Sequence, residues 1–181
     1  QSGMGRTGKM FAMEHFGVVP DIIALAKGIA SGMPLGAMVA RADIMTWEAG
    51  SHASTFGGNP VSCQAALATL ALLEESLMAN ATARGEQLMA GLRELQKSIE
   101  CMGDVRGMGL MVGVELVKDR ITKERAHEWR NEVIQKAFRK GLLLLGCGDS
   151  TIRFCPALTI SAEEIEVGLS IFEEAVREVA G

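Results

Sequence analysis

Helical and alternating spacings of apolar residues follow one another across residues 60–181 and predict an α+β unit. Leucine and alanine at helical spacing follow Asn59–Pro60, a pair that favours the start of a helix. Alternation in LMVGVEL places one set of apolar side chains on a single face, which predicts a strand. Ser161 and Glu164 have the spacing of a capping box that opens a last helix. The other predicted elements are a helix near 81–99, a helix capped by Thr122 and stopped by Gly141, and short strands at GLLLL and TIRFC.

The first 59 residues carry a different pattern, in which short apolar runs are separated by glycine-rich turns. The runs near 21–26 and 35–41 predict two strands, and a short helix is predicted near 42–49. Strands of a parallel sheet need neighbours on both sides and helices on both faces. Residues 1–59 are therefore predicted to be the end of a larger α/β domain, and residues 60–181 a smaller domain.

One lysine interrupts the longest apolar stretch of the chain. Lys27 is the only charged residue between Ile22 and Ala40. Burial in apolar surroundings lowers the pKa of a lysine, and a neutral amine can attack a carbonyl carbon. The same spacing also fits a lysine whose stem lies along the core and whose head reaches water.

Composition argues against several other classes of protein. The formal net charge is −4 and the basic residues are scattered, which argues against a nucleic-acid surface. The apolar stretch around Lys27 contains Pro34 and several glycines, which suits a buried core better than a membrane span. None of the four cysteines forms a CxxC pair, so neither a metal site nor a disulfide framework is predicted. Reduced thiols in a cytoplasmic protein are the expectation.

Four segments, in order along the chain, resemble the class III aminotransferases. They are SGMGRTG at 2–8, PDIIALAKGIASGMPLGA at 20–37, STFGGNP at 54–60 and TIRFCPALTIS at 151–161. The class includes 4-aminobutyrate, ornithine and acetylornithine aminotransferases, which are pyridoxal-phosphate enzymes of fold type I. The resemblance implies an α/β chain that contains the end of the large cofactor-binding domain and a small C-terminal α+β domain. It also implies a homodimer with a shared active site.

The resemblance assigns roles to five residues. It implies that Lys27 holds pyridoxal 5'-phosphate through a Schiff base and then moves a proton between substrate and cofactor. Ser54 and Thr55 would bind the cofactor phosphate, with Thr55 reaching the partner subunit's site, because hydroxyls and N–H groups at a helix N-terminus favour an anion. Gln1 matches the family residue near the cofactor's phenolic oxygen. Arg153 matches the arginine that holds the α-carboxylate of glutamate or 2-oxoglutarate.

Two of these motifs also have a purely structural interpretation. STFGGNP fits an ordinary glycine turn ahead of a capped helix. Arg153 fits a solvated arginine on an edge strand. From the residues alone, both alternatives stay open.

The chain is less than half as long as members of the family it resembles. The family's aspartate at the cofactor ring nitrogen, its main phosphate loop and its stacking aromatic residue would all lie before Gln1. We therefore expect a C-terminal fragment of an enzyme, which by itself is inactive and binds the cofactor weakly.

The expected activity of the full-length protein is transfer of an amino group from an ω-amino acid, such as 4-aminobutyrate, to 2-oxoglutarate. The tail RKGLLLLGCGDSTIRFCPAL favours the 4-aminobutyrate type over the acetylornithine type. The alternatives are a pyridoxal-phosphate-dependent amino-acid racemase of the same fold and a non-catalytic dimerisation module. The expected partners are small-molecule amino acids and 2-oxo acids, with no nucleic acid and no membrane.

Overall fold

The chain forms two compact units in the computed structural model, which describes residues 1–180. The first unit is Gln1–Met78, and the second begins at Ala79. The domain boundary predicted near residues 59–60 divides the full-length protein rather than this chain into compact units. It therefore stays a prediction.

The first unit contains a two-stranded sheet made of β1 (Ile22–Leu25) and β2 (Ala37–Ala40). The strands lie where the apolar runs predict them, but they pair antiparallel, with Ile22 opposite Ala40. The expectation of parallel strands was wrong, because the segment between them turns back on itself and brings the second run alongside the first. Three short 3₁₀ helices complete the unit before its long helix: Ala12–Phe16, Lys27–Ala30 and Ala42–Ile44.

A long helix begins at Pro60, as predicted. The side chain of Asn59 caps it, since Oδ1 accepts hydrogen bonds from the N–H groups of Val61 at 2.9 Å and Ser62 at 3.2 Å. The helix does not end where a second helix was expected. Instead α1 (Pro60–Leu72) continues through a π-helical turn, Leu73–Leu77, into α2 (Met78–Ser98). The buried residues of α1 and the π turn are Ser62, Ala66, Thr69 and Leu73.

The continuous helix Pro60–Ser98 is long and apolar enough, by length and composition, to cross a membrane. This is weak evidence for a membrane protein, because core helices of soluble proteins have the same properties. Its outer face exposes large apolar side chains, namely Val61, Leu67 and Leu72.

The second unit is built on an antiparallel sheet. Its strands are β3 (Met102–Met108), β4 (Met111–Asp119), β7 (Thr151–Phe154) and β6 (Leu145–Cys147), in that spatial order, with β5 (Glu124–Arg125) paired to β4. The alternation in β4 is confirmed, since Val112, Val114 and Leu116 are buried. The strand predicted at GLLLL was wrong in position, because residues 142–144 lead into β6 rather than form it. Strand β3 was not predicted.

One hydrophobic cluster joins the inner side of this sheet to α2, α3 (His127–Arg139) and α4 (Ala162–Ala180). The capping box of α4 is confirmed, because the N–H of Ser161 donates to Glu164 at 2.8 Å and the N–H of Glu164 donates to Ser161 Oγ at 3.1 Å. The buried stripe of α4 also matches its prediction and contains Ile165, Leu169, Phe172 and Val176.

Helix α3 begins at His127, five residues after the predicted cap at Thr122. The carboxylate of Asp119 accepts hydrogen bonds from the N–H groups of Ile121 and Thr122. These bonds fold residues 119–122 into a turn, and the chain then pairs with β4 before the helix can start.

The two units differ in how much apolar surface they bury, which predicts a difference in protease resistance. The buried apolar residues of the first unit are few, namely Met4, Ile29, Ala30, Ala66 and Leu73, whereas Trp47 and Phe56 are largely exposed in its final loop. We expect limited chymotrypsin digestion of the 181-residue chain to cut first at Trp47 or Phe56, because these positions open without disrupting a core. Mass spectrometry should find a resistant product that contains residues 79–180. Early cleavage at Phe154 or Phe172 would contradict this expectation.

Candidate active site

Lys27 follows β1 after one residue, Ala26, and is the first residue of the helix Lys27–Ala30. Its backbone is left-handed, with φ of +54°. For a residue other than glycine this conformation costs about 1–2 kcal/mol, and such strain is concentrated at functional sites. The side chain is exposed, and within residues 1–180 its amine makes no hydrogen bond or ion pair. The alternative in which Lys27 is buried among its apolar flanks is wrong for this chain. Strand β1, which precedes it, belongs to a two-stranded sheet that is largely uncovered.

The glycine-rich segment after Lys27 packs against the SGMGRTG segment and against α1. A Cβ added to Gly28 would lie 3.6 Å from the Cβ of Met4, so Gly28 lies close to the SGMGRTG segment. The hydroxyl of Ser31 lies within hydrogen-bond distance of the hydroxyl of Thr69 on α1, at 2.9 Å. Met4 and Ser31 share the left-handed backbone of Lys27, with φ of +53° and +46°. Non-glycine residues of this kind are uncommon, and three of them border one turn.

The loop before α1 presents two hydroxyls to solvent. Ser54 and Thr55 are exposed, and neither hydroxyl makes a hydrogen bond within the described residues. A Cβ at Gly57 would come within 3.0 Å of Ser54 Oγ, so the missing side chain keeps this hydroxyl accessible. Because Asn59 already accepts the N–H groups of Val61 and Ser62, an anion here would contact the hydroxyls rather than the first-turn amides.

The predicted site residues fall in both units of the chain. Gln1, Lys27, Ser54 and Thr55 belong to the first unit, and Arg153 belongs to the second. Gln1 is exposed, and its side chain makes no hydrogen bond with residues 1–180.

Arg153 stands on an interior strand of the second unit. Strand β7 lies between β4 and β6, where Arg153 is opposite Gly113 on one side and Leu145 on the other. The interpretation of Arg153 as an edge-strand residue was therefore wrong. The side chain is half-buried, and its Nε is fully buried with no acceptor in the described chain. A buried donor without a partner is costly, which makes this guanidinium a ready site for a carboxylate.

A second arginine on the same face shows the contrast. Arg106 of β3 is also opposite Gly113, so the glycine separates the two arginines. Arg106 forms ion pairs with Asp104 at 2.6 Å and Glu115 at 3.2 Å. The hydrogen bond to Asp104 is the main cause of the raised pKa of Arg106. Protein carboxylates thus neutralise Arg106, whereas Arg153 has no carboxylate partner among residues 1–180.

A cavity of about 220 Å³ lies within the second unit and includes Arg153 in its lining. Most of the lining is apolar and comes from the segment before β6, the end of β7 and α4. The lining has one other charged residue, Glu164, whose carboxylate already accepts a hydrogen bond from the N–H of Ser161.

Arg130 is a nearly buried cation on α3 that the motifs above do not include. It lies at helical spacing from Val133 and Ala137, both of which are fully buried. An arginine on an apolar stripe is a signal that could have identified it from the sequence.

Comparison with known proteins places nearly the whole chain in one family. The family model for class III aminotransferases matches residues 1–176. The chain is 46% identical to a leucine/methionine racemase of Thermococcus litoralis, over 99% of the chain and 41% of the relative. It is 42% identical to the 5-aminovalerate aminotransferase DavT of Pseudomonas aeruginosa, over 99% of the chain and 43% of the relative.

A solved aminotransferase structure from Bacillus anthracis has the same fold over this region. It superposes with a TM-score of 0.91 at 34% identity, covering 98% of this chain and 43% of the other. The chain thus spans less than half the length of the relatives it matches. It belongs to the class III aminotransferases, a pyridoxal-phosphate-dependent family of fold type I.

Proposed function

We propose that the full-length protein containing this chain is a transaminase that moves an amino group from an ω-amino acid, such as 4-aminobutyrate, to 2-oxoglutarate. The observation that carries this proposal is Arg153, a half-buried guanidinium with an unpartnered Nε on an interior strand. Both the amino-group acceptor and its product carry carboxylates, and arginine binds a carboxylate through two parallel hydrogen bonds.

The residues of the first unit fit pyridoxal 5'-phosphate. Lys27 offers an amine with no protein partner, and Ser54 and Thr55 offer hydroxyls that a phosphate oxygen could accept hydrogen bonds from. When bound, the cofactor supplies an electron sink for the carbanion formed at the substrate carbon. In this proposal Lys27 holds the cofactor, Ser54 and Thr55 bind its phosphate, and Gln1 lies near its phenolic oxygen.

Lys27 also moves the proton in this proposal. Its Nζ, once free of the cofactor, takes the proton from the substrate carbon as a general base and later donates it as a general acid. An amine on a flexible four-carbon stem can serve two nearby carbons in turn. The strained backbone at residue 27 directs where that stem begins.

Substitution of Arg153 tests where the substrate carboxylate binds. Lysine keeps the charge but cannot reproduce the planar fork, so Arg153→Lys should raise the KM for 2-oxoglutarate. Hydrogen bonds to charged groups contribute about 1.5–3 kcal/mol, which corresponds to an increase of roughly ten- to a hundredfold. Steady-state kinetics with glutamate and 2-oxoglutarate would measure it.

Arg139→Lys is the matched control for that measurement. Arg139 is an exposed arginine in the last turn of α3, and its replacement should leave both KM values unchanged. If Arg153→Ala also leaves glutamate and 2-oxoglutarate kinetics unchanged, the substrate carboxylate binds elsewhere.

An amino-acid racemase is the second candidate, and the 46% identity to the leucine/methionine racemase favours it. In a racemase the same lysine returns the proton to the substrate carbon, whereas in a transaminase it delivers the proton to the cofactor. Incubation of the full-length protein with 4-aminobutyrate and 2-oxoglutarate separates the two activities. We expect glutamate to accumulate, because a transaminase needs the 2-oxo acid. Interconversion of leucine enantiomers without any 2-oxo acid, and no glutamate, would favour the racemase.

The remaining parts of the proposal concern assembly and location. The relative that acts on 5-aminovalerate supports an ω-amino acid as donor. We propose a homodimer in which the exposed loop carrying Thr55 contributes to the partner's cofactor site. The cysteines of the described chain are free thiols, which supports a cytoplasmic location.

A further inference from the structure

A nearly buried arginine on α3 has no role in the chemistry described above. Arg130 is only 9% exposed, and no acidic side chain within residues 1–180 forms an ion pair with it. Its Nε has no hydrogen-bond acceptor, while Nη1 donates to the carbonyl oxygen of Gly148 at 3.1 Å. A buried charge without a carboxylate partner is costly to keep, so this side chain is a candidate for a specific structural role.

The guanidinium of Arg130 lies against the backbone of β6. A Cβ at Gly146 would lie 2.7 Å from Arg130 Nη1, so the guanidinium would have to shift to make room for a side chain there. Glycine at this point of the strand therefore lets the guanidinium pack directly against the backbone. Gly146 is opposite Ile152 on β7, and the neighbouring pair is Leu145 with Arg153. Arg130 thus supports the strand that pairs directly with the strand of Arg153.

The turn between β6 and β7 is attached to the rest of the unit by further contacts of the same kind. His127 Nδ1 lies 2.7 Å from the carbonyl oxygen of Asp149 and 3.2 Å from Arg130 Nη2. Because the carbonyl can only accept, Nδ1 donates to Asp149, and its approach to Arg130 Nη2 is then a contact between two donors. The side chain of Asp149 forms an ion pair with Arg125 of β5. Two neighbouring carbonyls of the turn, Gly148 and Asp149, therefore accept hydrogen bonds from α3.

We propose that Arg130 is a positioning residue for the substrate carboxylate. It holds the β6–β7 hairpin at a fixed distance from α3, and the hairpin in turn sets the direction of the Arg153 guanidinium. This inference rests on the proposed role of Arg153. A bidentate contact depends on orientation, so a displaced hairpin should weaken the binding of the substrate carboxylate.

Arg130→Met in the full-length protein tests the inference, with Arg139→Met on the same helix as control. Methionine fills the apolar part of the site but cannot donate to Gly148. We expect the KM for 2-oxoglutarate to rise about tenfold with kcat changed by less than about twofold, since a displaced fork weakens carboxylate binding. Arg130→Lys, which keeps one donor for the Gly148 carbonyl, should recover part of the loss. Arg139→Met should match the unchanged protein.

Hydrogen exchange of the same variants in the absence of substrate gives a readout that does not depend on activity. In Arg130→Met, the amides of residues 145–154 should exchange faster, while those of α4 keep their protection. Faster exchange throughout the second unit would show that Arg130 is only a general stabiliser, and unchanged exchange at 145–154 would also overturn the inference.

A double-mutant cycle with Arg153→Gln separates this inference from the proposed function. If Arg130 acts through Arg153, Arg130→Met should change the KM for 2-oxoglutarate by less than about twofold in the Arg153→Gln background. Equal fold-changes in both backgrounds would refute the positioning role while leaving Arg153 as the carboxylate ligand. An unchanged KM in Arg153→Gln alone would refute the proposed role of Arg153 instead.

Discussion

Lys27→Ala should abolish transamination by the full-length protein, with no detectable glutamate formed from 2-oxoglutarate. The substitution removes the amine that the proposal assigns to both cofactor attachment and proton transfer, and no other side chain can replace both functions. The fold should be retained, because the Lys27 side chain is exposed and makes no hydrogen bond or ion pair within residues 1–180. Circular dichroism would check the fold of the variant.

Borohydride reduction in the presence of pyridoxal phosphate locates the amine independently of turnover. The reduced adduct should be found on the peptide that contains Lys27, and Lys27→Ala should eliminate it. Lys9→Ala is the control, since Lys9 is also an exposed lysine of the first unit. An adduct on Lys9 or Lys97 would mean that the attachment site has been assigned wrongly.

Gly85→Ala should lower the stability of the second unit, and Gly168→Ala should raise it. Gly85 lies on α2, where a Cβ would be 2.3 Å from the carbonyl oxygen of Gly109, an atom of the backbone. The backbone has to shift to accommodate the methyl group, and overpacking of this kind costs about 1–3 kcal/mol. A Cβ at Gly168 on α4 meets only Leu142 at 3.8 Å, so alanine there should add up to about 1 kcal/mol through helix propensity.

Thermal unfolding of the two variants measures the difference. In a domain of about 100 residues each kcal/mol moves Tm by about 4–8 °C, so the two substitutions should shift Tm in opposite directions. Equal shifts would mean that the close approach of α2 to Gly109 is not a constraint on the sequence.

Local signals predicted part of the fold well. The capping box of Ser161 and Glu164 and the apolar stripe of α4 depend on residues within a few positions of each other, so the sequence contains all the information needed. Strand β4 was recognised for the same reason, since its buried residues alternate from Val112 to Leu116. Strand β3 was missed because MGDVRGM shows no such alternation and becomes a strand only by pairing with β4.

Nonlocal contacts account for what the sequence could not give. Thr122 is a reasonable N-cap residue by type, but the carboxylate of Asp119 and the pairing of β5 with β4 delay the helix to His127. Lys27 was recognised by its flanks, yet its exposure depends on which strands cover β1. The interior position of Arg153 likewise depends on β4 and β6, which lie on either side of β7.

The left-handed backbone at Lys27 has a consequence for how this family diverges. At φ of +54° the chain itself favours glycine over lysine, so under the proposed role of Lys27 selection for the amine opposes a local conformational preference. Once a descendant no longer needs the amine, that selection disappears while the preference remains. Replacement of this lysine by glycine or asparagine should therefore be the commonest first mark of a lineage that keeps the fold but has lost catalysis.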